Sequence, residues 1–282
     1  MIIDFHTHIF PPGVRDGREK YLRRDPTFAE MYASPKAKIA TAEDLLASMD
    51  AAGVDVSVAL GFAWRDHDLC VRHNDYLLES AAKSNGRIVP FCTVNMADSR
   101  AGKEIERCAA GGGRGLGELR PDSQGWNPND GAGEELAAAA AEHKLLLLFH
   151  VSEPVGRSYP GKEGGKLGDF YRFARRHPAL PVIGAHLAGG LPLYVPEPNV
   201  RDVFSHVYLD TAAQPLLYDR AALERIARIT GPGRILLGSD YPLISQKRQV
   251  QELRSGAFSA DDLQLVLGAN AQRLLGPVKE RP

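Results

Sequence analysis

Cysteine is scarce in this chain: Cys70, Cys92 and Cys108 are the only three in 282 residues, and none form a Cys-x-x-Cys pair. An odd, sparse set argues against a disulfide framework and a thiolate zinc site, and reads as buried free thiols in a reducing compartment. Long apolar runs are missing too. No stretch approaches the ~20 residues that a membrane span requires. The N-terminus is already a strand, with no basic segment leading an apolar one as in a signal peptide. A surplus of one charge is also absent, since 34 Lys+Arg face 35 Asp+Glu for a net charge of -1. That balance argues against a general binder of nucleic acid or anionic membranes, while leaving room for a local basic patch. The expectation is a cytoplasmic protein that acts on a small molecule, with no nucleic-acid or membrane partner.

Strand and helix patterns alternate from end to end. Apolar runs bounded by Gly and Pro predict strands at 2–6, 54–60, 87–94, 114–119, 145–150, 181–186, 206–210 and 234–239. Helices are predicted between them at 41–52, 68–84, 99–110, 132–143, 166–177, 219–229 and 260–267, with a less distinct one within 188–204. Thr41 followed by Glu43 and Asp44 suits a helix start, and Gly53 suits its end. Eight such units spell an α/β fold, a (β/α)8 TIM barrel, which typically takes about 250 residues. The simplest organisation is therefore one barrel domain over 1–282. Residues 9–40 interrupt the rhythm as a loop excursion over the active-site face, either a lid or substrate wall or a solvated surface segment. The second Gly-rich loop, 152–168, lacks the spacing of a phosphate loop.

The chain opens Met1-Ile2-Ile3-Asp4-Phe5-His6-Thr7-His8. Alternation along a strand points His6 and His8 to one face, with Asp4 on the same face. Three later runs end in a potential ligand: 145–149 in His150, 181–185 in His186 and 234–239 in Asp240. In parallel α/β proteins, sites are built at the C-terminal ends of strands. Neutral imidazole and carboxylate suit a divalent metal, zinc first and manganese or iron as alternatives, with one or two ions. His6, His8, His150 and Asp240 supply four contacts, and Asp240 is also placed to accept a proton from water. His186 is either another ligand or a general acid/base, with the acid/base role favoured. Glu118, at the end of the fourth strand, is open as a further ligand bridging to a second metal or as a residue that holds a histidine. Arg120 suits a substrate carboxylate or phosphate, or is a plain surface Arg. Trp64 and Tyr241 are weaker candidates to shape the substrate pocket, with Arg65, His67 and Asn95 behind them. Asp4 orients the histidine pair rather than binding metal. Asp210 ends the seventh strand without a supporting pattern.

The Asp4–His8 opening, the isolated His150 and His186, the Gly-Ser-Asp-Tyr-Pro around Asp240 and the closing 268–275 segment resemble the amidohydrolase superfamily. The closest likeness is to the amidohydrolase-related branch that includes aminocarboxymuconate-semialdehyde decarboxylase. The resemblance spans Asp4 to Leu275. It implies a distorted barrel with metal at its C-terminal mouth, bound by His6, His8, His150 and Asp240, while His186 acts on water or substrate. No lysine stands at the end of strand four, where some binuclear members carry a carboxylated one. Glu118 stands in that region, and a Gly-Glu there is similar to TatD-type hydrolases, whose glutamate joins a two-metal site. The reading is a metal-dependent hydrolase that uses activated water on a small-molecule amide, lactone or ester. The alternatives are a non-oxidative decarboxylase of a small carboxylic acid, for which Arg120 would pair with the substrate, then a TatD-like nuclease, then a ligand-binding barrel without turnover. The resemblance is compatible with a homodimer.

Overall fold

Eight buried segments become the strands of one parallel sheet: β1 (Ile3–His8), β2 (Val56–Leu60), β3 (Ile88–Cys92), β4 (Gly115–Leu119), β5 (Leu146–Phe149), β6 (Val182–Gly184), β7 (Val207–Asp210) and β8 (Ile235–Leu236). This computed structural model describes residues 1–256 and 258–277. Each strand pairs in parallel with the next. The ends meet where Phe5 N donates to Leu237 O at 2.7 Å and Asp240 N donates to His6 O at 2.9 Å. With helices between the strands, this is a (β/α)8 barrel. Among the described residues, no helix is long and apolar enough to cross a membrane.

Two apolar layers follow from the two-residue period of the strands. Ile3, Phe5, Val56, Val58, Phe91, Leu148 and Ile183 form one cluster drawn from alternate strand positions. Ala59, Leu116, Leu147, Val182 and Leu209 join helix residues such as Leu45, Ile105, Leu136 and Phe173 in the larger one. The period breaks in β1, whose pairing register shifts between Asp4 and Thr7. Asp4 therefore does not sit beside the histidine tips. Its carboxylate accepts from Ser239 N and Oγ, from Gln246 Nε2 and from His6 N, which fixes the backbone of β1.

The strands are shorter than the apolar runs predict, because their last residues curl out of the sheet. His186 and Asp240 have φ of 58° and 60°, a left-handed conformation that costs a non-glycine residue energy and tends to mark functional positions. The excursion at 9–40 is not a plain loop. It carries three short helices, Pro12–Asp16, Arg18–Arg24 and Pro26–Tyr32. Phe28 stacks on Trp64 at 5.0 Å, and Phe10 stacks on His73 at 5.0 Å. Asp25 caps the third helix through Phe28 N and also accepts from Arg65 N and Asp66 N, pinning the excursion to the loop after β2. The indistinct helix within 188–204 is Pro198–Val203, and a helix at Gln246–Arg254 was not predicted.

Candidate metal centre

Six candidate residues named from the sequence, His6, His8, Glu118, His150, His186 and Asp240, converge at the C-terminal ends of the strands. His6, His8 and Asp240 form one group of ligand atoms; Glu118, His150 and His186 form a second. In the first group, His6 Nε2 lies 3.1 Å from His8 Nε2, and Asp240 Oδ1 lies 3.7 and 3.4 Å from those two atoms. In the second, Glu118 Oε1 lies 2.7 Å from His150 Nδ1 and 3.2 Å from His186 Nε2, which are themselves 3.1 Å apart. Ligands held about 2.1 Å from one tetrahedral ion stand about 3.4 Å from each other. Both groups are near that spacing, and their nitrogen and oxygen donors suit a divalent ion.

The outer ring nitrogens are held in place. His6 Nδ1 donates to Asp210 Oδ2 at 2.7 Å, and His186 Nδ1 donates to Ala212 O at 3.0 Å, so each Nε2 turns inward. His150 Nε2 lies 2.9 Å from Ser152 Oγ, so its Nδ1 turns inward. Asp210 also accepts from His186 N and Ala212 N through Oδ1, which ties β1, β6 and β7 together. Gly238 makes this possible: a Cβ there would sit 3.0 Å from His6 Cβ and 3.1 Å from Asp210 Cβ. Sequence reasoning passed over Asp210, because the partner that gives it a role is 204 residues away.

Charge in the cluster is arranged for a cation. Burial opposes protonation of His6, yet Asp210, Glu118 and Asp240 outweigh it and push the imidazole up to about 10. Burial alone would raise the Asp240 carboxyl, but His8 and His6 hold it at about 2. Glu118 is likewise held well below the usual carboxylate range, against its burial, by His150, His186 and His6. Asp240 and Glu118 thus stay ionised in a buried space, and positive charge must answer them.

The cluster forms the floor of a cavity of about 410 Å³, whose walls include Met31, Tyr32, Phe62, Tyr159, Leu216 and Leu243. Arg120 lines it as well and is 2% exposed, not a surface residue. Trp64 does not reach the cavity. It is 1% exposed within the aromatic cluster, and its Nε1 donates to His73 Nδ1 at 3.1 Å. Tyr241 also stays off the wall, because its hydroxyl turns to Asp44 O at 3.1 Å. Arg65, His67 and Asn95 lie beside the excursion and the loop after β3, outside the cavity wall.

A family model described as amidohydrolase matches residues 3–276. No curated protein matches the chain. Among solved structures, the chain is similar to 5-carboxyvanillate decarboxylase from Sphingomonas paucimobilis, at 20% identity and a TM-score of 0.77 over 97% of this chain and 98% of that one. It is similar to the Novosphingobium aromaticivorans 5-carboxyvanillate decarboxylase solved with manganese, at 16% identity and a TM-score of 0.77 over 98% and 96% of the two chains. It is also similar to a manganese-bound dihydroxybenzoic acid decarboxylase from Polaromonas, at 18% identity and a TM-score of 0.74 over 97% and 96%. At such identities the likeness is one of fold.

Proposed function

The chain belongs to the amidohydrolase family, and on that premise we propose that it is a hydrolase holding two divalent ions and acting with water on a small-molecule amide, lactone or ester. Glu118 carries this reading. Its Oε2 faces His8 and His6 at 3.6 and 3.9 Å, while its Oε1 faces His150 and His186. One carboxylate that offers an oxygen to each of two ligand groups suits a bridge between two ions. Zinc fits the mixed imidazole and carboxylate donors, and manganese is the ion reported in the relatives' structures.

Bound ions would supply the Lewis acidity that makes water nucleophilic near neutral pH. The chain supplies the rest. Asp240, ionised and at the cavity floor, accepts the proton of the attacking water and returns it to the leaving group. Asp210 and Ala212 O fix the rings of His6 and His186 so that no reorientation is needed on binding. The apolar wall keeps bulk water from the substrate body.

A second reading, decarboxylation, is favoured by the relatives, which act on aromatic carboxylates. In that case His6, His8 and Asp240 would hold one ion, and His186 would be free to deliver a proton. A substrate panel separates the two. Metal-loaded protein is assayed for hydrolysis of esters, lactones and amides, and for carbon dioxide release from hydroxybenzoates. Hydrolysis without carbon dioxide is expected; carbon dioxide release without hydrolysis would replace the first reading by the second.

A further inference from the structure

Phe10, Phe28 and Phe62 pack around one residue that carries a hydroxyl their packing does not need. Tyr32 ends the helix Pro26–Tyr32, and its ring stacks on Phe28 at 4.7 Å and meets Phe10 and Phe62 edge-on at 5.3 and 5.6 Å. A phenylalanine would fill that place equally well, and a buried phenol ordinarily finds a hydrogen-bond partner. Tyr32 is 9% exposed, yet among the described residues its hydroxyl has no partner. Nor is the hydroxyl sealed in: it opens to the cavity.

The other polar side chains of the wall above the metal cluster are engaged or exposed. Tyr159 donates to Glu153 Oε2 at 2.9 Å, and Arg157 and Arg120 donate to Leu216 O and Gly161 O at 2.7 and 2.6 Å. Ser34, Lys36 and Lys38 are exposed. Among the described side chains of that wall, Tyr32 is the buried neutral donor left free. Burial, then the charges of Asp240 and Glu118, push its phenol well above the ordinary value, so it keeps its proton near neutral pH.

The donor is held in advance. Asp25 caps the helix and fastens it to the loop after β2, while Glu30 accepts from Gly161 N at 3.0 Å and fastens it to the loop after β5. Just beyond the helix, Arg18 donates to Ser34 O and Ala37 O at 3.0 and 2.6 Å. A donor fixed before the substrate arrives needs no reorganisation when charge develops.

We infer that the Tyr32 hydroxyl is a catalytic donor that hydrogen-bonds the carbonyl oxygen of the scissile group and stabilises the charge that oxygen gains when water adds. As the bond from water to carbon forms, the carbonyl π pair moves onto that oxygen, and Tyr32 holds it without giving up its proton. When the pair returns, the bond to the leaving group breaks, and that group departs with the proton Asp240 took from water. The 9–40 excursion thereby supplies a reacting contact as well as a wall. This deepens the hydrolase reading and rests on it for the bond that is broken; the carbonyl contact itself does not.

The test compares wild type with Tyr32→Phe, both zinc-loaded, with zinc content and melting temperature measured in each. One readout is hydrolysis of phenyl acetate, or of the best substrate in the ester, lactone and amide panel. The other is NMR titration with acetophenone and with α-methylstyrene, which has the same shape but no acceptor oxygen. In Tyr32→Phe, acetophenone is expected to bind about fivefold more weakly and α-methylstyrene as before. The kcat is expected to fall about 100-fold while KM rises only about fivefold, because the contact strengthens in the transition state. Zinc content and melting temperature are expected to stay unchanged. Acetophenone affinity or kcat untouched by loss of the hydroxyl overturns the inference, as does a variant that no longer folds, since the hydroxyl would then have a structural role. If wild type hydrolyses nothing in the panel but acetophenone binding still depends on Tyr32, the hydrolase reading fails and the carbonyl contact stands.

Discussion

Asp210 is buried off the cavity wall, yet it holds one ring nitrogen of His6 and the backbone of His186 at once. Asp210→Asn keeps the shape but removes the charge that fixes the His6 ring. The expected loss in metal affinity is about 10- to 100-fold, with the fold retained. Zinc titration against a chelating dye checks this, and an unchanged affinity would show that His6 needs no such support. At this scale the sequence was legible where a histidine or carboxylate ends an apolar run: His6, His8, His150, His186 and Asp240 all reach one cluster. Trp64 misled because nearness to a strand end says nothing of direction, and its ring turns into the packing of Phe28 and Phe62. Asp210 was illegible for a different reason. Its meaning lies in a partner across the barrel closure, which no local pattern encodes.

Among the elements, the helix at His67–Lys83 does more than cover the sheet. From it, His73 donates through Nε2 to Ile9 O at 2.7 Å and accepts through Nδ1 from Trp64 Nε1, joining the chain after β1 to the chain after β2. Burial pushes this imidazole down from 6.5 to about 4, so it is neutral in the folded chain. Between these values the unfolded chain binds a proton that the folded chain refuses. Stability should therefore be intact above pH 6.5 and fall as pH drops toward 4, by up to about 3 kcal/mol. Urea unfolding of wild type and His73→Gln at pH 7.5 and 5 tests this: the variant's loss on acidification should be smaller, and identical pH dependence would exclude His73 as a source. Predicted elements match best where caps and apolar period coincide, as in Ala42–Ala52 behind the Thr41–Asp44 capping box. The helices within 9–40 were missed although Pro12, and Asp25 before Pro26, are ordinary start signals. They are short, and charge masks their period.

Over the whole molecule, eight successive parallel strands bring residues from β1, β4 and the segments after β5, β6 and β8 to one point. The barrel was readable because its alternation repeats eight times, so errors of a few residues at each boundary do not alter the topology. The number of ions was not readable. It depends on which way the two Glu118 oxygens face, a property of the closed barrel and not of the Gly-Glu pair in the chain. Metal content per chain, by elemental analysis of wild type and Glu118→Gln purified without chelators and reloaded with zinc, tests that arrangement most directly. The account predicts about two ions in wild type and about one or fewer in the variant, with hydrolysis lost. One ion in wild type, retained unchanged in Glu118→Gln, would contradict it.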